Sequence, residues 1–290
     1  MPLIRWLLNV QPLWNNPADY NAALQYLPAS THARIQSYHR QSDRKLALGS
    51  QLLQHLLVTR HRNTPFADVS ITRHHCGLSG ARPVFDGIDG SDGLEYSVSH
   101  HGTVVALVSR LQPPRQTAKE EGSVGVDVLE YAELPSYVCP TLPGVVEWAE
   151  GFVDSGVFTH AEMMGVRDVA RRDAWREVVK EVHLRWTVKE AFVKALGTGL
   201  ATDLQAIEVR LEGVREQVEE GRRVPVEVWL GKEGEKRRAD EWYFEIGLVA
   251  EGSNCVGVAT RVEGLLEEEK SAEWQWLDYN ADVLAYIMTA

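Results

Sequence analysis

Two long stretches with helical spacing of apolar residues, 29–60 and 168–197, each lead into a series of short strand-like runs. In the first, Ile35, Tyr38, Leu46, Leu53, Leu56 and Leu57 recur at helical intervals, and helix formers fill its second half. VSITR (69–73), RPVF (82–85), LEYSVS (94–99) and TVVALVSR (103–110) follow as strands, separated by Gly and Asp. The second stretch, with one break expected inside it, ends at Gly197 and Gly199, natural helix stops. AIEVRL (206–211), VPVEVWL (224–230), EWYFEIGLVA (241–250) and CVGVATRV (255–262) then read as strands. The same order in each half predicts an α+β fold of two similar lobes.

The boundaries follow from the punctuation. IRWLLNV (4–10) reads as a first strand, and NPADYNAALQYL (16–27) as a short helix capped by Asn16 with Pro17 at its first position. LQPPRQTAKEEGS (111–123) is polar with a Pro pair and is the linker candidate. The expected division is an N-terminal lobe at 1–117, a C-terminal lobe at 118–262 and a tail at 263–290 that docks as a helix. The second lobe opens on the strand SVGVDVL (123–129), and Thr159 with Glu162 makes a capping box for a helix in its mainly helical first part.

Charge narrows the function. The net charge is −11, which excludes bulk nucleic-acid binding, since a polyanion needs a basic surface. Residues 1–62 carry seven basic and two acidic side chains, a local charge of +5, so the remainder carries −16. A basic segment on an acidic protein fits an anion site, an acidic partner or a solvated helix face. Cys76, Cys139 and Cys255 are scattered without a CxxC pair, which argues against a disulfide framework or a cysteine zinc site and fits a reducing, cytoplasmic setting. Arg5 interrupts the N-terminal apolar run, so no signal peptide is expected, and no window approaches a membrane span.

Several groups carry chemistry. In LRWTVKEAFVKALGTGL (184–200), Trp186, Glu190 and Lys194 sit at i, i+4 and i+8 on one helical face. Such a face could hold a hard cation and a phosphate, or be an ordinary Glu–Lys pair. SVSHHG (97–102) places Ser99, His100 and His101 at a strand end against Gly102, where an imidazole could donate to a phosphate or sit solvated in a turn. No GxSxG elbow supports a serine-hydrolase reading. Arg82, after Gly80, could fork onto phosphate oxygens. In GVDVLE (125–130), strand alternation sends Asp127 and Leu129 to one face and Glu130 to the other, so the two carboxylates are out of phase.

In order, these read Gly-x-Arg-Pro (80–83), Ser-His-x-Gly (99–102), Gly-x-Asp (125–127) and Trp-x-x-Lys-Glu-x-x-x-Lys-x-x-Gly-x-Gly (186–199). That string resembles the surfactin-type 4′-phosphopantetheinyl transferases over about residues 30–262, fungal and other eukaryotic broad-range members most of all. VFTHAEM (157–163) also looks like the family's Phe-Ser/Thr-x-x-Glu segment.

The resemblance implies two lobes related by pseudo-two-fold symmetry, with coenzyme A between them. It implies transfer of the phosphopantetheine arm to a serine of an apo acyl or peptidyl carrier domain, releasing 3′,5′-ADP. Mg²⁺, or Mn²⁺ in its place, would be the metal, with Asp127 and Glu190 as ligands. Glu190 would also be the general base, Lys194 would stabilise charge on the phosphates, and His100 would hold a coenzyme A phosphate. Arg82 stands where the family usually has Lys. The match of THARIQSY (31–38) to a Glu-x-Arg-Ile segment makes Arg34 a nucleotide-phosphate contact, VSITR (69–73) offers Arg73 for the 3′-phosphate, and Arg44 is a further candidate or a solvated side chain. Ser99 and Lys189, inside the same motifs, are expected at the cofactor. Many bacterial relatives have a second carboxylate at the position of Leu129, which cannot ligate, so a water or another side chain, with His101 as one candidate, would fill that place. Carrier domains of fatty-acid synthase, polyketide synthase, peptide synthetase and aminoadipate reductase are the expected partners of a monomer. The competing reading is a coenzyme A-binding sensor or scaffold without catalysis.

Overall fold

The computed structural model describes residues 3–76, 80–85, 94–111 and 123–289. The linker candidate falls almost wholly on residues 112–122, outside the described ones. The first half runs β1 (Ile4–Asn9), α1 (Pro17–Leu24), α2 (Ala29–Gln36), α3 (Gln41–Arg62), β2 (Ile71–Cys76), β3 (Gly80–Phe85), β4 (Leu94–His101) and β5 (Val104–Leu111). The second runs β6 (Val124–Glu130), α4 (Leu142–Asp154), α5 (His160–Arg172), α6 (Trp175–Leu196), β7 (Ile207–Arg210), α7 (Val214–Glu219), β8 (Val224–Pro225), β9 (Glu227–Leu230), β10 (Arg237–Arg238), β11 (Trp242–Val249) and β12 (Asn254–Arg261). The tail adds α8 (Glu267–Ser271), β13 (Gln275–Trp276), a π-helical turn over Tyr279–Leu284 and α9 (Ala285–Thr289).

The fold is α+β, and both halves wind alike. The sheet order β1-β5-β4 is matched by β6-β12-β11, each all antiparallel, with the first strand of the half beside its last. A 22-residue helix, α3 or α6, packs against each sheet. Strand alternation divides the core. On β5, Val105 and Leu107 join the cluster around α3, while Val104, Ala106 and Val108 face the other half. There they meet Val124, Val126 and Val128 of β6 and Val256 and Val258 of β12. A valine-rich seam therefore joins the two sheets, as period-two strands buried on both faces require.

Local signals explain the helix boundaries. Asn16 caps α1 by accepting from the Asp19 N–H at 2.8 Å, with Pro17 following. The stretch 29–60 is two helices rather than one. The break inside 168–197 falls between Arg172 and Trp175. Thr159 and Glu162 form the capping box of α5, and α6 stops at Gly197, whose φ of 73° suits a residue without Cβ.

The tail docks more extensively than a lone helix. β13 adds to the first sheet parallel to β1, and Leu277 and Val283 enter the α3 core. Arg60 lies between the Trp6 and Tyr286 rings at 5.2 and 5.1 Å and donates to Asp282 O. A second clasp is buried in the seam. Arg5 of β1 bonds Glu245 of β11 at 3.0 Å and the Glu269 carbonyl at 2.7 Å, and Arg223 approaches the same carboxylate.

Candidate active site

Two glycines fix how closely α6 lies on the second sheet. A Cβ on Gly125 would fall on the Ala191 carbonyl oxygen and the Ala195 backbone nitrogen, and one on Gly257 would meet Thr187 Cγ2 and O at 3.1 Å. Gly257 is the register partner of Asp127. Bare backbone at these points lets the helix bearing Glu190 and Lys194 rest directly on the strand bearing Asp127.

The result is a compact polar group at the lobe junction. Lys194 Nζ donates to Asp127 Oδ1 at 2.6 Å and to Ser99 Oγ at 2.8 Å, and Ser99 Oγ donates to the same Asp127 oxygen at 2.8 Å. Asp127 and Ser99 are buried, whereas the Lys194 side chain is 32% exposed. The ammonium is anchored by these two acceptors and still partly open to solvent. Burial, then the neighbouring Asp127 charge, push the Glu190 carboxyl above its ordinary value, while Lys194 opposes them. Two carboxylates close enough to feel each other's charge, both oxygen donors, fit a hard divalent cation.

Ser99 belongs to a polar ladder that ties β4 to β6. Glu95 accepts from the Ser123 N–H at 2.7 Å and from its hydroxyl, Ser97 Oγ accepts from the Val126 N–H at 3.1 Å, and Ser99 reaches Asp127. These residues alternate along LEYSVSHH, so one face of β4 is a row of bridging groups. The alternation of Glu, Ser and Ser was the signal for it, although Glu95 and Ser97 carry no motif.

His100 sits at the exposed end of β4, near enough to Lys194 and to Asp43 of α3 to feel both charges. Arg34 is exposed on α2, and Arg44 is half-buried on α3, where its Nε donates to Tyr38 O at 2.6 Å. Arg73 and Arg82 lie on the β2–β3 hairpin, where Arg73 pairs with Pro83 and Arg82 with His74. Their side chains fall outside the described residues.

Two expectations change. Lys189 does not reach the cofactor face: its ammonium is fully buried, 2.8 Å from Glu162 Oε2, and donates to Val157 O and Leu204 O. Glu162 also accepts from the Thr159 and Val209 N–H groups at 2.8 and 2.9 Å. The VFTHAEM segment and Lys189 thus form one structural knot joining α5, α6 and β7. Adjacent residues on a helix point about 100° apart, so Lys189 and Glu190 serve opposite sides of α6. Lys45, counted in the basic surface, is also buried, bonding Asn15 Oδ1 at 2.6 Å. Trp186 packs edge-on to Phe152 of α4 at 5.8 Å. Leu129 joins the α6-side core, and Glu130 turns toward Gly102.

Comparison with known proteins points to one family. Residues 13–112 match a family described as 4′-phosphopantetheinyl transferase, N-terminal, and residues 156–239 match the 4′-phosphopantetheinyl transferase superfamily. The 4′-phosphopantetheinyl transferase 1 of Fusarium mangiferae is 27% identical over 77% of this chain and 77% of its own length. The L-aminoadipate-semialdehyde dehydrogenase-phosphopantetheinyl transferase of Schizosaccharomyces pombe is 28% identical over 68% of this chain and 69% of its own. The human protein of that name is 25% identical over 89% and 74%. The chain belongs to the 4′-phosphopantetheinyl transferase superfamily.

Proposed function

We propose that this protein transfers the 4′-phosphopantetheine arm of coenzyme A to a serine hydroxyl of apo carrier domains, releasing 3′,5′-ADP. The observation that carries this is the meeting of Asp127, Glu190 and Lys194 where the two lobes join. Asp127 and Glu190 would hold Mg²⁺, which when bound balances the diphosphate charge. Phosphoryl transfer otherwise asks the protein mainly for positioning and charge stabilisation.

Lys194 supplies a fixed cation for the phosphate oxygens, and Ser99 keeps that cation and Asp127 in register. Glu190, with its carboxyl raised toward neutrality, is suited to accept the proton of the attacking serine. His100 and the arginines on α2, α3 and the β2–β3 hairpin would take the remaining phosphate charge. Carrier domains of aminoadipate reductase, fatty-acid and polyketide synthases and peptide synthetases are the proposed acceptors, met by a monomer in the cytoplasm. Among the described residues no helix is long and apolar enough to cross a membrane. The lobes would divide near residues 117–118.

Incubation of the protein with coenzyme A, Mg²⁺ and a panel of apo carriers, read by carrier mass, tests the proposal. A phosphopantetheine mass gain on at least one carrier, with 3′,5′-ADP released in equal amount, is expected. Coenzyme A binding with no carrier modified across the panel would overturn it.

A further inference from the structure

A second set of ligating side chains converges at the end of the lobe junction. His101 ends β4, Glu130 ends β6, and Glu133 follows in the loop toward α4. His101 Nε2 lies 3.9 Å from Glu130 Oε2 and 3.5 Å from Glu133 Oε2. One ligand atom from each of the three lies within 4.8 Å of the others. We propose that His101, Glu130 and Glu133 form a site for a borderline divalent cation, with Zn²⁺ as its type, separate from the Asp127–Glu190 pair.

The chemistry of the donors sets the metal class. One imidazole nitrogen and two carboxylate oxygens suit Zn²⁺, which takes three protein ligands and water in open sites. Mg²⁺ prefers oxygen alone and is better served by Asp127 and Glu190. The three side chains are 38%, 39% and 60% exposed, so a cation can enter from solvent.

Two further observations show that the cluster is seated. Gly102, at φ 61°, leaves space that the Glu130 carboxylate fills: a Cβ there would lie 2.8 Å from Glu130 Cδ and Oε1. His183 of α6, 7% exposed, hydrogen-bonds the Glu130 backbone and feels the His101 and Glu133 charges, and its Nδ1 has no hydrogen-bond partner among the described residues. The inference does not depend on the transferase reading.

The test titrates Zn²⁺ into the full chain in excess Mg²⁺, in a Cys139→Ser background because Cys139 is an exposed thiol. Stoichiometry is read by native mass spectrometry and affinity by calorimetry, with circular dichroism confirming the fold of each variant. One bound Zn²⁺ is expected, retained in the Asp127→Asn/Glu190→Gln variant. Its affinity should fall about tenfold or more in His101→Ala and in Glu133→Gln, the latter an exposed loop change that spares the fold. No binding, binding indifferent to both substitutions, or binding lost with Asp127→Asn/Glu190→Gln alone would each overturn the proposal.

Discussion

Lys194 Nζ lies 2.6 Å from Asp127 Oδ1, although the two residues stand 67 positions apart on α6 and β6. Ser99, from the other lobe, touches both. The site is thus assembled from three elements that only the folded lobe junction brings together. The pair is a poor source of stability, because Lys194 is a third exposed and screened by solvent. In the proposed transfer its use is to hold a cation where negative charge would be stabilised.

Replacing Lys194 by Met should therefore separate activity from stability. The kcat/KM for carrier modification should fall about 10²–10³-fold, the usual loss for one charge-stabilising group. The unfolding midpoint should move by less than the equivalent of about 1 kcal/mol. A large loss of stability with normal turnover by the remaining folded protein would assign Lys194 a structural role instead.

Gly125 tests how the site is built. Because a Cβ there meets backbone atoms of α6 rather than flexible side chains, the helix must move to admit it. Gly125→Ala should cost about 3 kcal/mol or more, at the upper end of overpacking penalties. It should also depress turnover by shifting Glu190 and Lys194 away from Asp127. Gly257→Ala meets Thr187 at 3.1 Å and should cost less, about 1 kcal/mol. Denaturant melts of the two variants check the order, and a harmless Gly125→Ala would refute the close-approach argument.

Much of this was legible from the chain. The order of helices and strands in each half gave the duplicated layers, because apolar periodicity encodes which face of each element is buried. Strand alternation separated Glu130 from Asp127, whereas the close approach at Gly125 emerged only once α6 was seen lying on β6. What the sequence could not convey was the partner of each charge. Lys189 stands in the same motif as Glu190, and motif membership suggested a shared role. Its burial depends on Glu162, 27 positions earlier and on another helix. The grouping of His101, Glu130 and Glu133 and the Arg5–Glu245 clasp likewise depend on how the two sheets meet, which no local pattern specifies.

The Lys189–Glu162 pair should behave as a structural element. Lys189→Met leaves Glu162 buried without its cation and should destabilise the protein by about 3–5 kcal/mol. Adding Glu162→Gln should restore a good part of that loss, since the amide oxygen can still accept from the Thr159 or Val209 N–H. Folded Lys189→Met protein should keep its KM for coenzyme A. A raised KM at unchanged stability would instead return Lys189 to the cofactor. Thermal melts together with steady-state kinetics distinguish these outcomes.

Acid should weaken the fold through two buried histidines. His55, fully buried with Nδ1 3.4 Å from Phe66 O, is pushed down to about 4 by burial. His183 is pushed down to about 4 by burial and, after that, by His101. Both lie below the unfolded value of 6.5. Above that value neither state binds the proton, and these groups leave stability independent of pH. Between 6.5 and about 4 the unfolded chain takes up protons that the folded one refuses, so stability falls with pH by up to about 1.4 kcal/mol per unit for each ring. Below about 4 the loss levels off near 3 kcal/mol per ring. His55→Leu removes one of these uptakes while filling the same core with apolar volume. Urea midpoints near pH 7.5 and pH 4.5 should show a drop smaller by about 2–3 kcal/mol in the variant than in the parent. Parallel losses in the two proteins would mean that His55 is already protonated in the folded state and that its burial exacts no penalty.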